Sequence, residues 1–376
     1  MYIDKPPMGW NSWNTFGAEI NEKLVRETAE AIVKSGLKDA GYDYVIIDDV
    51  WLLKDRDKDG RLTPDPEKFP SGMKALSDYV HSLGLKFGMY SCAGTMTCAG
   101  FPASFENEYR DAETFAKWGI DYLKYDYCYK PEYYPGEILY RRMGMALANS
   151  GRDILFAACS WGSDKTAEWM RTANAHTWRS TGDIADSFAS VKSIIQQQYA
   201  QLPYGGKGCY NDMDMLIVGM NGKGNVGLTG CTYEEYRLHF SAWALLASPL
   251  IIGCDIRNMD KQTKEILTNK ELIKINQDRG GRQTYVLSKG RNDDVPVFAR
   301  YLENGDVAVG MFNLYDETFK MNFTLDALGL PFSGNKTMEF TDLWTGEKIK
   351  PVNMGVSRDI KAHDCLVLRG RVKDKE

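Results

Sequence analysis

Carboxylates, cations and tryptophans recur along this chain in the same place, just after a short apolar run. IDDVW (47–51) carries Asp48 and Asp49, LKYDYC (123–128) carries Lys124 and Asp126, and Cys159-Ser160-Trp161 closes a third run. WRSTGDI (178–184) then brings Arg179 and Asp183, and NDMDML (211–216) brings Asp212 and Asp214. Two carboxyl groups facing one bond are what glycoside hydrolysis needs, one to attack the anomeric carbon and one to protonate the leaving oxygen. Tryptophan supplies a flat apolar wall for a sugar ring. A single aspartate at such a place reads equally well as a helix N-cap. Carboxylates gathered at four such places repel one another unless they are paired or used. Lys124 lies two residues before Asp126, so on a strand both share a face and the ammonium can hold Asp126 ionised.

These residues converge only if the runs that precede them are parallel strands. Eight runs qualify: Met8 to Trp13, Asp43 to Asp48, Lys86 to Ser91, Tyr122 to Tyr125, Ile154 to Ala158, Thr177 to Ser180, Met213 to Ile217 and Leu250 to Gly253. Amphipathic segments such as Asn21 to Ala40 and Tyr233 to Ala247 alternate with them, the pattern of βα units. Eight units in about 275 residues suit a (β/α)8 TIM barrel, whose site forms at the C-terminal ends of the strands. A doubly wound open sheet would place G-x-G-x-x-G after the first strand, and none is there. After about Asn276 helical periodicity fades and short strands separated by turns take over, with Asn304-Gly305 between two apolar segments as a hairpin signal. The expected architecture is a catalytic α/β barrel over residues 1–278 followed by an antiparallel β-sandwich over 279–376.

Composition removes other classes. The 376 residues are 43% hydrophobic and 26% charged with net charge −5, and no basic tract suits nucleic acid. The most apolar stretch, Phe240 to Ile252, is broken by Ser241, Ser248 and Pro249, so no membrane segment is expected. The eight cysteines form no C-x-x-C pair and the four histidines are scattered, so neither a structural zinc site nor any other metal is expected. Asp55, Asp57, Asp59 and Gly60 copy half of an EF-hand loop, but Pro66 stands where the closing Glu belongs, which leaves a charged turn. The first residues lack a basic and an apolar signal region, so a cytoplasmic location is expected, or a secreted one if a signal was trimmed.

Seven blocks in order, PPMGWNSWNTFG (6–17), IDDVW, TCAGFPASF (97–105), LKYDYC, WRSTGDI, NDMDML and HFSAWALLASPLIIGCDIRNM (239–259), resemble glycoside hydrolase family 27. This is the retaining α-galactosidase and α-N-acetylgalactosaminidase family, and the resemblance spans essentially the whole chain. It implies a barrel with a C-terminal β domain, a small carbohydrate substrate and no cofactor. Asp126 matches the nucleophile, and Asp183 matches the general acid/base, held protonated by the nucleophile's charge. Arg179 matches a sugar-contacting arginine, Asp48 and Asp49 the pair that binds the 4- and 6-hydroxyls, and Trp10 the stacking residue. Tyr90, Cys98, Lys124, Cys159, Ser160, Trp161, Asp214 and Met215 match further pocket positions.

Cys98 and Cys128 match a family disulfide. Ala18 and Val50 stand where many members carry a second cysteine pair, a joint loss that suits a reducing compartment. Cys92 replaces an aspartate common in relatives, and its thiol stands as a competitor for the remaining bridge. Ser160 replaces the Glu of many plant and microbial α-galactosidases, which leaves room at the sugar's C2. Galactose is the expected substrate, with N-acetylgalactosamine and β-L-arabinopyranose as alternatives, and an idle sugar-binding protein as a remote one. Oligomeric state is not legible.

Overall fold

A computed structural model describes residues 2–331 and 334–374. Eight parallel strands make the first sheet: β1 (Met8–Asn11), β2 (Tyr44–Ile46), β3 (Lys86–Cys92), β4 (Tyr122–Asp126), β5 (Leu155–Ala158), β6 (Thr177–Arg179), β7 (Tyr210–Asp212) and β8 (Leu250–Ile252). Their order runs β8-β1-β2-β3-β4-β5-β6-β7, and a parallel bridge from Leu216 to Ile252 closes the ring. Tyr44, Ile46, Tyr122, Leu155, Ala157, Tyr210 and Ile251 cluster as a filled interior beneath the rim. Gly88 is required there, since a Cβ would stand 2.8 Å from Ile46 and 3.0 Å from Tyr122. Register on the neighbouring strands sets Tyr90 beside Lys124 and Cys92 beside Asp126, which fixes the rim chemistry to the barrel wall.

Two expected elements differ. The seventh strand is Tyr210–Asp212, not Met213 to Ile217. The side chain of Asp212 accepts the N–H of Asp214 at 2.9 Å and Asp214 takes φ 78°, which ends the extended run at Asp212, before the expected strand begins. The apolar residues that follow are buried as the closing wall between β7 and β8, so hydrophobicity marked the wall rather than the strand. The long helix expected over Asn21 to Ala40 is two, Glu22–Ser35 and Leu37–Ala40, because Gly36 at φ 84° caps the first. The acidic turn near residue 57 closes on itself, with Asp57 accepting the N–H groups of Asp59 at 2.9 Å and Arg61 at 2.7 Å.

The C-terminal part is a β-sandwich. A six-stranded sheet, ordered β9 (Tyr285–Ser288), β10 (Val297–Tyr301), β11 (Val307–Phe312), β16 (Cys365–Asp374), β13 (Lys336–Asp342), β14 (Lys348–Ile349), faces the ribbon of β12 (Phe319–Thr324) and β15 (Gly355–Ile360). Val309, Met311, Phe323, Phe340, Val356 and Leu368 fill the space between them. Asn304 and Gly305 do turn the hairpin from β10 to β11, with Gly305 at φ 86°.

The barrel helix Tyr233–Leu245 packs on this sheet, and Gly310 lets Leu245 approach, since a Cβ would meet it at 2.6 Å. Trp344 donates to Ser241 at 3.0 Å and Arg237 pairs with Asp364 at 2.6 Å across the same contact. No helix among the described residues is long and apolar enough to cross a membrane.

Candidate active site

The barrel's C-terminal mouth holds a cleft of about 520 Å³, open end included, into which Asp48, Asp49, Asp126, Asp183 and Asp214 project with Lys124 and Arg179. Asp126 ends β4 and is only 6% exposed, with its carboxylate accepting the N–H of Tyr127 at 2.9 Å. Burial pushes its pKa up to about 6; Lys124 and that N–H pull downward, while Asp48 and Asp183 add to the rise. Lys124 does share the face of Asp126, yet its ammonium sits on Asp48 at 2.8 Å, where Asn11 also donates at 2.8 Å. Lys124 does pull Asp126 toward the ionised state, as expected, but its ammonium is engaged by Asp48 and desolvation outweighs what reaches Asp126. Asp49 is held by the N–H groups of Val50 at 2.7 Å and Ala99 at 2.9 Å, and burial raises it.

Asp183 stands at the opening, with its side chain 74% exposed. Arg179, itself buried, reaches Asp183 at 2.6 Å and Asp214 at 2.7 Å from the same nitrogen, and its other amino group lies 3.6 Å from the Cys159 sulfur. The surrounding walls push the Asp183 carboxyl upward, but the Arg179 guanidinium and the more distant Lys124 prevail and hold it below the usual range. The expected protonated Asp183 is therefore not the state of the empty cleft, because the arginine's charge outweighs the nucleophile's. Asp214 is raised by burial despite Arg179, and accepts the N–H groups of Ile184 and Met215, both at 2.7 Å. Asp212 beneath it is raised by burial to about 6.

Tyr90, Cys98, Trp161 and Met215 line the cleft with these groups. The Tyr90 hydroxyl lies 3.3 Å from the Cys98 sulfur, and Cys98 is bonded to Cys128, as the resemblance implied. Cys92 is a free, buried thiol 3.2 Å from the Cys128 carbonyl oxygen, and burial pushes its pKa above the ordinary thiol range. Three expected lining residues do not line the cleft. Trp10 is fully buried and donates to the Cys254 carbonyl at 3.0 Å, because it sits inside β1 rather than after it. Cys159 and Ser160 are buried behind Arg179 and Trp161, and the Ser160 hydroxyl is bonded to Thr166.

The wall the sequence reading missed is Trp13, with Asn14, Ile184 and Val226. The expected first strand ran through Trp13, whereas β1 ends at Asn11, so only the second tryptophan of G-W-N-S-W follows the strand. Val50 sits at φ 69°, rare for a β-branched residue. Among the described residues, Cys98, Cys128 and Asp126 are the one grouping with metal-donor spacing, and the disulfide occupies both sulfurs.

A closed barrel whose mouth gathers a buried carboxylate, an exposed carboxylate and an aromatic wall around one small cleft is a glycosidase. Residues 5–278 match the family model described as alpha galactosidase A, and residues 292–369 match that of the alpha galactosidase C-terminal beta sandwich domain. The chain is 44% identical to alpha-galactosidase 3 of Arabidopsis thaliana over 362 residues, covering 96% of this chain and 80% of that protein. The crystal structure of alpha-galactosidase I from Mortierella vinacea superposes with a TM-score of 0.91 at 39% identity, covering 99% of this chain and 98% of that one. The Saccharomyces cerevisiae alpha-galactosidase with raffinose superposes at 0.90 and 30% identity, covering 98% of each. The chain belongs to glycoside hydrolase family 27, the α-galactosidase family.

Proposed function

We propose that this chain hydrolyses terminal α-D-galactosides with retention of configuration. The observation that carries the reading is the contrast between its two facing carboxyl groups: Asp126 is buried at the floor and Asp183 open at the mouth, where a leaving group departs. Asp126 attacks the anomeric carbon and forms a β-linked glycosyl ester while Asp183 gives its proton to the aglycone oxygen; Asp183 then takes a proton from water as it attacks. Asp48 and Asp49, rigidly held by Asn11, Lys124 and backbone N–H groups, bind sugar hydroxyls, and Trp13 supplies the stacking face in place of Trp10. Substrate hydroxyls taking up Arg179 free Asp183 to hold the proton it donates.

Galactose is the first substrate in this reading, because Ser160 turns onto Thr166 and does not line the cleft, whose walls include Trp161 and Arg179. Proton NMR of a p-nitrophenyl α-galactoside digest should show α-galactose as the first-formed anomer; β-galactose first means inversion. On the same preparation kcat/KM should favour the galactoside over the α-N-acetylgalactosaminide and the β-L-arabinopyranoside. A tenfold preference for either competitor overturns the assignment of the sugar. Binding without hydrolysis of any of the three marks an idle sugar-binding protein.

A cytoplasmic location is part of the same reading. Six of the eight cysteines are free, five of them buried, and Ala18 and Val50 leave one family bridge unmade. Mass spectrometry of the native, alkylated protein should find at most the Cys98–Cys128 bond; two or more disulfides contradict a reducing home.

A further inference from the structure

The cleft is sized for one sugar, so whatever the galactosyl group is attached to lies outside, on the rim beyond Asp183 and Asp126. That rim is aromatic on the β4 side. Of the six exposed tyrosines among the described residues, four (Tyr109, Tyr129, Tyr133 and Tyr134) fall in the segment 109–134 that brackets Asp126. Tyr133 is 90% exposed and Tyr129 is 55% exposed, on the loop that leaves β4 directly after Asp126.

This loop is firmly built. The Tyr129 carbonyl accepts the N–H of Thr95 at 3.1 Å, and Cys128 is bonded to Cys98 of the cleft wall. The Tyr127 hydroxyl donates to Asp164, whose carboxylate also accepts the N–H of Gly136 at 3.1 Å, and Tyr134 packs edge-on to Phe105 at 5.3 Å. Trp161 of the cleft packs edge-on to the buried ring of Tyr127 at 6.2 Å, so the cleft wall and the base of the loop are joined by this contact as well as by the disulfide. Exposed rings on a loop that leaves β4 directly after Asp126 and is bonded to the cleft wall match the apolar faces of further sugars, and their neutrality suits a neutral saccharide.

We propose that Tyr129 and Tyr133 form a stacking platform for the leaving-group saccharide, which makes α-galactosyl oligosaccharides, with at least two sugars beyond the galactose, the preferred substrates. The proposal rests on the α-galactosidase reading above. The test compares the full-length chain with Tyr129→Ala, Tyr133→Ala, the double variant and Tyr133→Phe. The substrates are α-galactosyl fluoride, whose leaving group is one atom, and a trisaccharide ending in α-galactose.

The double variant should lose about tenfold in kcat/KM on the trisaccharide, through KM, and stay within about twofold on the fluoride. Tyr133→Phe should match wild type, since the ring and not the hydroxyl stacks. Equal losses on both substrates, or none on either, overturn the platform. A changed sedimentation coefficient with unchanged trisaccharide kinetics overturns it in favour of a contact with a second copy. A wild-type chain inert toward the fluoride instead overturns the α-galactosidase reading itself and the platform with it, a result separable from all the others.

Discussion

Asp126→Asn should lose turnover by on the order of 10⁴- to 10⁶-fold and at the same time gain stability at neutral pH. The first effect follows from removing the buried carboxylate proposed to attack the anomeric carbon. The second follows from the raised pKa, about 6 in the folded chain against roughly 3.9 in an unfolded one. Between those values the folded state binds more protons than the unfolded state, so the contribution of Asp126 to stability is complete below about pH 4 and is lost as pH rises through about 6. Above that it amounts to a penalty of up to about 3 kcal/mol, which a neutral amide of the same shape does not carry.

Calorimetric unfolding from pH 4 to 8 should therefore show the variant's advantage near zero at the acid end and largest above pH 6. In wild type the acid limb of kcat/KM should lie near 6, where Asp126 loses its proton. A variant less stable than wild type at pH 7, or one retaining more than about 1% of the turnover, sinks the assignment.

Much of the site was legible because barrel geometry turns position along a strand into position in space. Asp48, Asp49, Lys124, Asp126, Arg179, Asp183 and Asp214 all follow or end apolar runs, and all project into one cleft. The rule failed where it was not followed strictly. Trp10 lies inside β1 and Trp13 after it, but the expected first strand ran through Trp13, so spacing separated neither and the resemblance pointed to Trp10. The seventh strand was misplaced because its residues, Tyr210, Asn211 and Asp212, are mostly polar, whereas the buried wall after it is apolar.

What sequence does not carry is the pairing of side chains across strands. Nothing in the order of residues says that Lys124 turns to Asp48, or that one guanidinium nitrogen bridges Asp183 and Asp214. Those choices, together with burial, set the direction in which each carboxyl shifts, and they reversed the order expected for Asp126 and Asp183 in the empty cleft.

That reversal makes Arg179 the residue whose loss should be felt in two separable ways. In Arg179→Met the buried Asp214 keeps the N–H groups of Ile184 and Met215 but loses its cation, and an uncompensated buried carboxylate costs about 3–5 kcal/mol at neutral pH. Asp214 is already raised by burial, so without the guanidinium it rises further and takes up a proton as the solution is acidified. The stability deficit measured by thermal unfolding should thus be largest near pH 8 and shrink toward pH 5, since the neutral acid needs no counter-ion.

Asp183, at the mouth, keeps the upward push of the surrounding walls and is released from the charge that holds it low. The alkaline limb of kcat, which reports loss of the acid's proton, should move to higher pH, even as kcat/KM falls by roughly 10²- to 10³-fold from the lost sugar contact. Arg179→Lys keeps a charge without the two-toothed fork and should move both quantities only part of the way. A deficit that stays constant from pH 5 to 8, together with an unmoved alkaline limb, would reduce Arg179 to a packing residue and leave the low Asp183 without a cause.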